Sequence, residues 1–268
     1  MAERTWVPPG VDVDQPSTAR TYDYYLGGGH NFAADRQLGD QVMLAIPEVR
    51  DIARLNRDFL RRAVLFLVSS GVRQFLDLGS GIPTVGNVHE VAQQADEQVR
   101  VVYVDKEPVA VAHSRLLLDG NERATIVQAD MCEPANVLQA AETQRLLDFE
   151  EPLGLLMVGV LHFVSDEQHP REIVAEYRDR LAAGSYLALS HVTADSRPEE
   201  AAAVVELYRR ADDQLHPRTR AEVTELFTGF DLLEPGVVST ALWRPESPEE
   251  LGPDAEHSEV YAGVARKP

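Results

Sequence analysis

Apolar positions along this chain keep a helical rhythm in some stretches and a strand rhythm in others, and between residues 48 and 190 the two alternate. Ile52, Leu55, Phe59, Ala63 and Phe66 recur at three- and four-residue steps and predict a helix over about 48–70. Five short apolar runs follow: Gln74–Leu78, Val99–Val104, Ala124–Gln128, Leu153–Val160 and Ser185–Ser190. The fourth is apolar throughout, as expected of a parallel strand covered on both faces. Helical spacing fills the gaps. Val85, Val88, Val91 and Ala95 mark the inner face of a helix after the first strand. Val109, Ala112 and Leu116 do so for a helix opened by Pro108, and Ile173, Val174, Tyr177 and Leu181 for one before the fifth strand.

Beyond residue 190 the rhythm changes. Helices are expected near Pro198–Ala211 and Thr219–Phe227, and late strands around Asp231–Val238 and at Glu259–Ala265. The acidic, Pro-rich piece Pro245–His257 reads as a solvated loop. Upstream, Pro8, Pro9, Gly10 and Pro16 predict an extended arm, followed by a segment with Tyr22, Tyr24, Tyr25 and the run Gly27-Gly28-Gly29. The expected fold is α/β: a doubly wound, Rossmann-like, mostly parallel seven-stranded sheet with helices on both faces and an N-terminal helical extension. Residues 1–46 form an arm and a tyrosine/glycine-rich cap; residues 47–268 form the main domain, with a helical lid insertion at about 195–217.

Composition narrows the function. With 268 residues, 44% of them hydrophobic, the chain can bury a sizeable core. Its formal charge of −19 argues against nonspecific binding to nucleic acid or an anionic membrane, which needs clustered Lys and Arg. A local basic patch stays open at Arg54, Arg57, Arg61 and Arg62. Cys132 is the single cysteine, which excludes an internal disulfide and suits a reducing cytosol; its plainest role is a small buried hydrophobe. The apolar run around Leu153–Val164 is too short for a bilayer span, so a soluble cytoplasmic protein is expected. The oligomeric state stays open, a homodimer included.

The candidate chemistry centres on Phe75-Leu76-Asp77-Leu78-Gly79-Ser80-Gly81-Ile82-Pro83-Thr84. A strand ends in an acid and a Gly-x-Gly turn that opens onto a helix, bringing backbone close to a nucleotide-like ligand. Asp77, Asp105 and Asp130 follow the first three strands and share one rim of the sheet. Asp77 suits a ligand ammonium, Asp105 both ribose hydroxyls, and Asp130 an adenine amine with Met131 packing on the base. Lys106, Tyr22, Gly28 and Arg57 complete the candidate cofactor set: Tyr22 as a pocket wall, Gly28 as a close backbone approach, Arg57 for a carboxylate. S-adenosylmethionine fits this acidic rim. NAD fits less well, because Thr84 stands where a G-x-G-x-x-G pattern needs its third glycine. Ordinary strand-end caps are the bland alternative for the three acids.

Residues 75–84, 101–108, 126–131 and 153–166 resemble the successive motifs of class I S-adenosylmethionine-dependent methyltransferases. A narrower resemblance runs through Pro16–Arg20, Tyr22–Gly28, Asn31–Arg36 and Asn56–Leu60. These segments are similar to an S-adenosyl methyltransferase family formerly catalogued as a domain of unknown function. The resemblance implies fold and donor, with Asp77, Gly79 and Gly81 facing the methionine part, Asp105 the ribose, and Asp130 with Met131 the adenine. Pro83 departs from the superfamily's third glycine, and Gly29-His30 stands where relatives carry Lys-Asp.

For the acceptor, His162 and His191 follow the fourth and fifth strands and are the candidate catalytic residues, as base or as positioning groups; fixing a loop is the alternative for each. The absence of an Asn/Asp-Pro-Pro-Tyr motif favours a small-molecule acceptor over DNA. Scattered histidines give no metal-ligand spacing. The leading expectation is a methyltransferase acting on a small metabolite. A non-catalytic sensor of S-adenosylmethionine or S-adenosylhomocysteine, and an NAD(P)-dependent oxidoreductase, are the alternatives.

Overall fold

The computed structural model describes residues 7–84, 86–247 and 259–268. Val85 and residues 248–258, which take in most of the expected Pro245–His257 loop, lie outside them. Three helices open the chain: α1 (Thr18–Tyr25), α2 (Ala33–Ala45) and α3 (Val49–Ser69). Then come β1 (Gln74–Leu78), α4 (Val88–Ala95), β2 (Arg100–Asp105), α5 (Pro108–Leu117) and β3 (Ala124–Gln128). Two short helices, α6 (Pro134–Gln139) and α7 (Ala141–Leu146), lead to β4 (Gly154–Val158), α8 (Pro170–Arg180) and β5 (Tyr186–Val192). The rest comprises α9 (Pro198–Tyr208), α10 (Arg220–Glu225), β6 (Asp231–Leu232), β7 (Val238–Ser239) and β8 (Val260–Arg266).

The strands form one sheet in the order β3-β2-β1-β4-β5-β8-β6, with β7 also on β8. β1 to β5 run parallel and β8 antiparallel to β5. Strand order reverses between β1 and β4, the place where such sheets open a crevice for ligands. Alternate side chains build the two faces. Leu76, Val102, Leu155 and Leu187 face one core; Phe75, Val101, Leu156 and Ala188 face the other.

Two sequence expectations change. Among the described residues the sheet has eight strands, because the late strand near 231–238 is split into β6 and β7 by a turn at Leu233–Gly236, closed by Gly236 N–H donating to Leu233 O (2.8 Å). Leu116 and Ala95, expected inside, are exposed. α5 buries Val109, Ala110, Val111 and Ser114 instead, and α4 buries Val88, His89 and Ala92. In both helices the buried face is rotated from the one the large apolar residues suggested.

The expected N-terminal helical extension is present, α1 and α2 following a non-helical stretch over residues 7–17, and a buried ionic joint fastens it to the sheet domain. Arg20 of α1 donates from Nε to Asp35 of α2 (2.9 Å) and from Nη1 to Glu107 (3.0 Å), with all three side chains buried. Its Nη2 donates to the carbonyls of Asp12 (3.1 Å) and Gln15 (2.6 Å). Glu107 is also the N-cap of α5, accepting from Ala110 N–H (2.8 Å). Removing one member of such a group leaves the others charged and dry, at a cost of about 3–5 kcal/mol. Arg20→Ala is therefore expected to lower urea unfolding stability by about that amount. A loss under about 1 kcal/mol, typical of an exposed pair, would contradict this role for the joint.

Candidate functional site

A cavity of about 230 Å³ lies over the carboxyl ends of β1, β2 and β4, roofed by α1, α2 and α9. Its floor is the strand-end set expected from the sequence: Asp77, Gly79, Gly81, Asp105, Lys106, Asp130 and Met131 all line it, as do Tyr22, Arg57 and His162. The Gly79 turn needs its glycine. φ is +66°, and a Cβ there would stand 2.2 Å from Cγ2 of Val160, beyond the end of β4.

The three acids differ in surroundings. Burial raises Asp77 to about 7; Arg57 opposes the shift and Asp105 adds to it. Burial also raises Asp105, against the pull of its backbone donors. Those donors are Gly81 N–H to Oδ2 (2.7 Å) and Glu107 N–H to Oδ1 (2.9 Å), so Asp105 ties the glycine turn to the start of α5. Each of its oxygens keeps a second lone pair. Asp130 is more exposed and accepts from Cys132 N–H (2.8 Å). The Lys106 ammonium is engaged by Asp213 at 2.8 Å, with Asp130 at 3.9 Å. Ser80 Oγ, at the same turn, is buried with no hydrogen-bond partner among the described residues.

Two sequence assignments are corrected. Gly28 does not line the cavity; a Cβ there would fall 1.9 Å from Oδ1 of Asp23, so the glycine makes room for that carboxylate. His191 does not line it either. Its Nδ1–H donates to Val192 O (2.7 Å) and its Nε2 accepts from Arg218 (2.8 Å), which uses both ring nitrogens. Arg218 also donates to the carbonyls of Leu161 and Val164, so His191 belongs to the frame of the loop after β4. His162 does reach the cavity. Its Nδ1 accepts a long bond from Val192 N–H (3.4 Å), and burial, with His191 and Arg218 nearby, holds its pKa well below the ordinary value. A neutral ring that accepts at Nδ1 carries its proton on Nε2, which makes His162 a hydrogen-bond donor.

Sequence reasoning passed over Tyr208 and Ser80 as lining groups. Asn56 holds the wall together: Nδ2 donates to Tyr22 Oη (3.1 Å) and Oδ1 accepts from Ser190 Oγ (2.6 Å).

The family model described as S-adenosyl methyltransferase matches residues 4–268. This chain belongs to that family. Its cofactor is S-adenosylmethionine, and its fold is that of the class I methyltransferases. The chain is similar to a candidate methyltransferase of Thermobifida fusca, with 40% identity, a TM-score of 0.91 and 98% of each chain covered. It is also similar to a DUF574-family protein of Streptomyces avermitilis, with 39% identity, a TM-score of 0.92, and 96% of this chain and 100% of that one covered. Human N-acetylserotonin methyltransferase, solved with S-adenosylmethionine, shares the fold at 16% identity and a TM-score of 0.51, over 93% of this chain and 63% of its own. No curated protein matches the chain.

The methyltransferase's rim suits its cofactor. A buried carboxylate near neutrality, an unpartnered hydroxyl and a second buried acid with spare lone pairs are complements to an ammonium and ribose hydroxyls. A pyrophosphate has no such place. The Glu90 carboxylate accepts from the N–H groups of Gly86 (3.1 Å) and Asn87 (2.8 Å), so the N-terminus of α4 already holds an anion.

Burial lowers His191 to about 4, which gives its framing role a pH signature. Below about pH 6.5 the unfolded chain protonates this histidine while the folded one resists. Wild-type stability relative to His191→Gln is therefore expected to fall by up to about 3 kcal/mol as pH drops from about 6.5 to 4. A pH-independent difference in urea unfolding would return His191 to the candidate bases.

Proposed function

We propose that this protein transfers the methyl group of S-adenosylmethionine to a small-molecule acceptor. One observation carries the reading: the acidic donor rim and the apolar roof of α1, α2 and α9 line the same cavity. When bound, the cofactor supplies an electrophilic methyl group on a sulfonium, and catalysis then consists mainly of alignment and exclusion of water. Asp77 receives the donor's ammonium and Arg57 its carboxylate. Asp105 accepts from the ribose hydroxyls, while Asp130 and Met131 meet the adenine. Gly79 and Gly81 bring the turn close to the methionine part.

His162 positions the acceptor by donating from Nε2. The acceptor's own proton, where it has one, is lost to bulk solvent as the methylated product leaves the cavity. The N-terminal helices and α9 keep solvent from the reacting atoms. Among the described residues no helix is long and apolar enough to cross a membrane.

Two measurements test the donor assignment. Asp105→Ala is expected to weaken S-adenosylhomocysteine binding by about 1–3 kcal/mol in isothermal titration, the range for charged hydrogen bonds. Unchanged affinity in a folded variant rejects the ribose role. The second uses Asp77, whose value of about 7 sets a pH window. An ammonium needs the ionised form, so affinity is flat above about pH 7 and falls below it, by up to tenfold per unit, as a proton must first be displaced. Asp77→Asn is expected to bind weakly at every pH. A wild-type affinity that is level down to about pH 5.5 removes Asp77 from the site.

A further inference from the structure

The cavity has two unlike halves, and the half under the roof describes its occupant. Tyr25, Val42 and Ile46 from α1, α2 and the residue after α2, with Val204, Tyr208 and Leu215 from α9 and beyond, form a separate apolar cluster. The same six residues line the cavity. This cluster supplies more of the cavity wall than either core that flanks the sheet. Apolar walls around a void lose contact energy, and an apolar occupant restores it where water does not. The ring of Phe163 stands 6.0 Å from that of Tyr208 at 34°, adding two aromatic faces to the wall.

Polar groups in this half are few and specific. The hydroxyls of Tyr25 and Tyr208 are 3.4 Å apart, with either able to donate to the other. Two hydroxyls carry two protons, and only one fits between them. No further hydrogen bond to either is present among the described residues. Burial raises both phenols, Tyr208 to about 12, so both protons stay in place. One O–H is thus left for the occupant. Charge completes the description. Lining cations are Arg57 and Lys106, the second engaged by Asp213, against the carboxylates of Asp77, Asp105, Glu107, Asp130, Asp212 and others. Such walls repel an anion.

We propose that the acceptor is a flat, uncharged aromatic molecule, seated between α1, α2 and α9, with a hydrogen-bond-accepting atom remote from the methylated one and placed on the Tyr25–Tyr208 hydroxyl pair. This rests on the methyltransferase reading and narrows its substrate class.

The test is fluorescence titration of the full chain, saturated with S-adenosylhomocysteine, with three probes under conditions that keep the phenols neutral. 7-Hydroxycoumarin has a nucleophilic hydroxyl at one end and a carbonyl at the other; 2-naphthol lacks the carbonyl; 7-hydroxycoumarin-3-carboxylate adds an anion. The coumarin is expected to bind about tenfold more tightly than 2-naphthol, the effect of one buried hydrogen bond, and at least about tenfold more tightly than the carboxylate. In Tyr25→Phe/Tyr208→Phe the coumarin's advantage over 2-naphthol disappears while 2-naphthol binding holds. The wild-type ranking decides by itself if that variant does not fold. Equal affinities, a preference for the carboxylate, or no probe binding beside bound S-adenosylhomocysteine overturns the acceptor proposal alone. Failure of S-adenosylhomocysteine itself to bind overturns the methyltransferase reading and the proposal with it.

Discussion

Arg20 sits buried between two carboxylates from different parts of the molecule, Asp35 in the N-terminal helices and Glu107 at the head of α5. Its guanidinium is planar and always charged, so it can satisfy both acids and two carbonyls only if α1, α2 and α5 keep one relative position. Asp35 in turn accepts from the N–H groups of Ser17 (2.8 Å) and Phe32 (2.7 Å), fixing the entries to both helices. Glu107 caps α5, and its own N–H donates to Asp105, the residue assigned to the ribose. The roof of the cavity and its floor therefore share one chain of charged hydrogen bonds. Buried ions of this kind contribute little net stability compared with apolar packing, but they define geometry. In the proposed reaction that geometry aligns donor and acceptor.

A second constraint acts from the opposite side. Arg218 gathers the carbonyls of Leu161 and Val164, the ring of His191 and the carboxylate of Asp166. This holds the loop after β4 in the one shape that presents His162 to the cavity. Two histidines at neighbouring strand ends thus differ in place: His191 is held within the frame and His162 lines the cavity. In the proposed reaction the walls supply orientation toward a sulfonium that is already activated.

The sheet was legible because a strand covered on both faces must be apolar along its length, and Leu153–Val160 shows this directly. The strand-end acids were legible for a related reason, as Asp77, Asp105 and Asp130 each end such a run. What stayed hidden depends on distant partners. Arg20 and Glu107 are 87 residues apart, and nothing local marks either as buried. Arg218 lies 27 residues from His191, so the two histidines looked alike. The helices α1 and α2 were obscured by glycines and tyrosines; Gly39 is there because a Cβ would approach Tyr24 to 2.6 Å. Gly28, read as a ligand contact, serves the neighbouring Asp23 for the same steric reason.

The account stands on the donor lying along the acidic rim with its methyl end turned toward the roof. A crystal structure of the protein with S-adenosylhomocysteine tests this most directly. The account predicts the amino group at Asp77, the ribose hydroxyls at Asp105, the adenine beside Asp130 and Met131, and the sulfur facing His162 and the apolar half of the cavity. A ligand in the reverse direction, or one bound away from the carboxyl ends of β1 and β2, would contradict it.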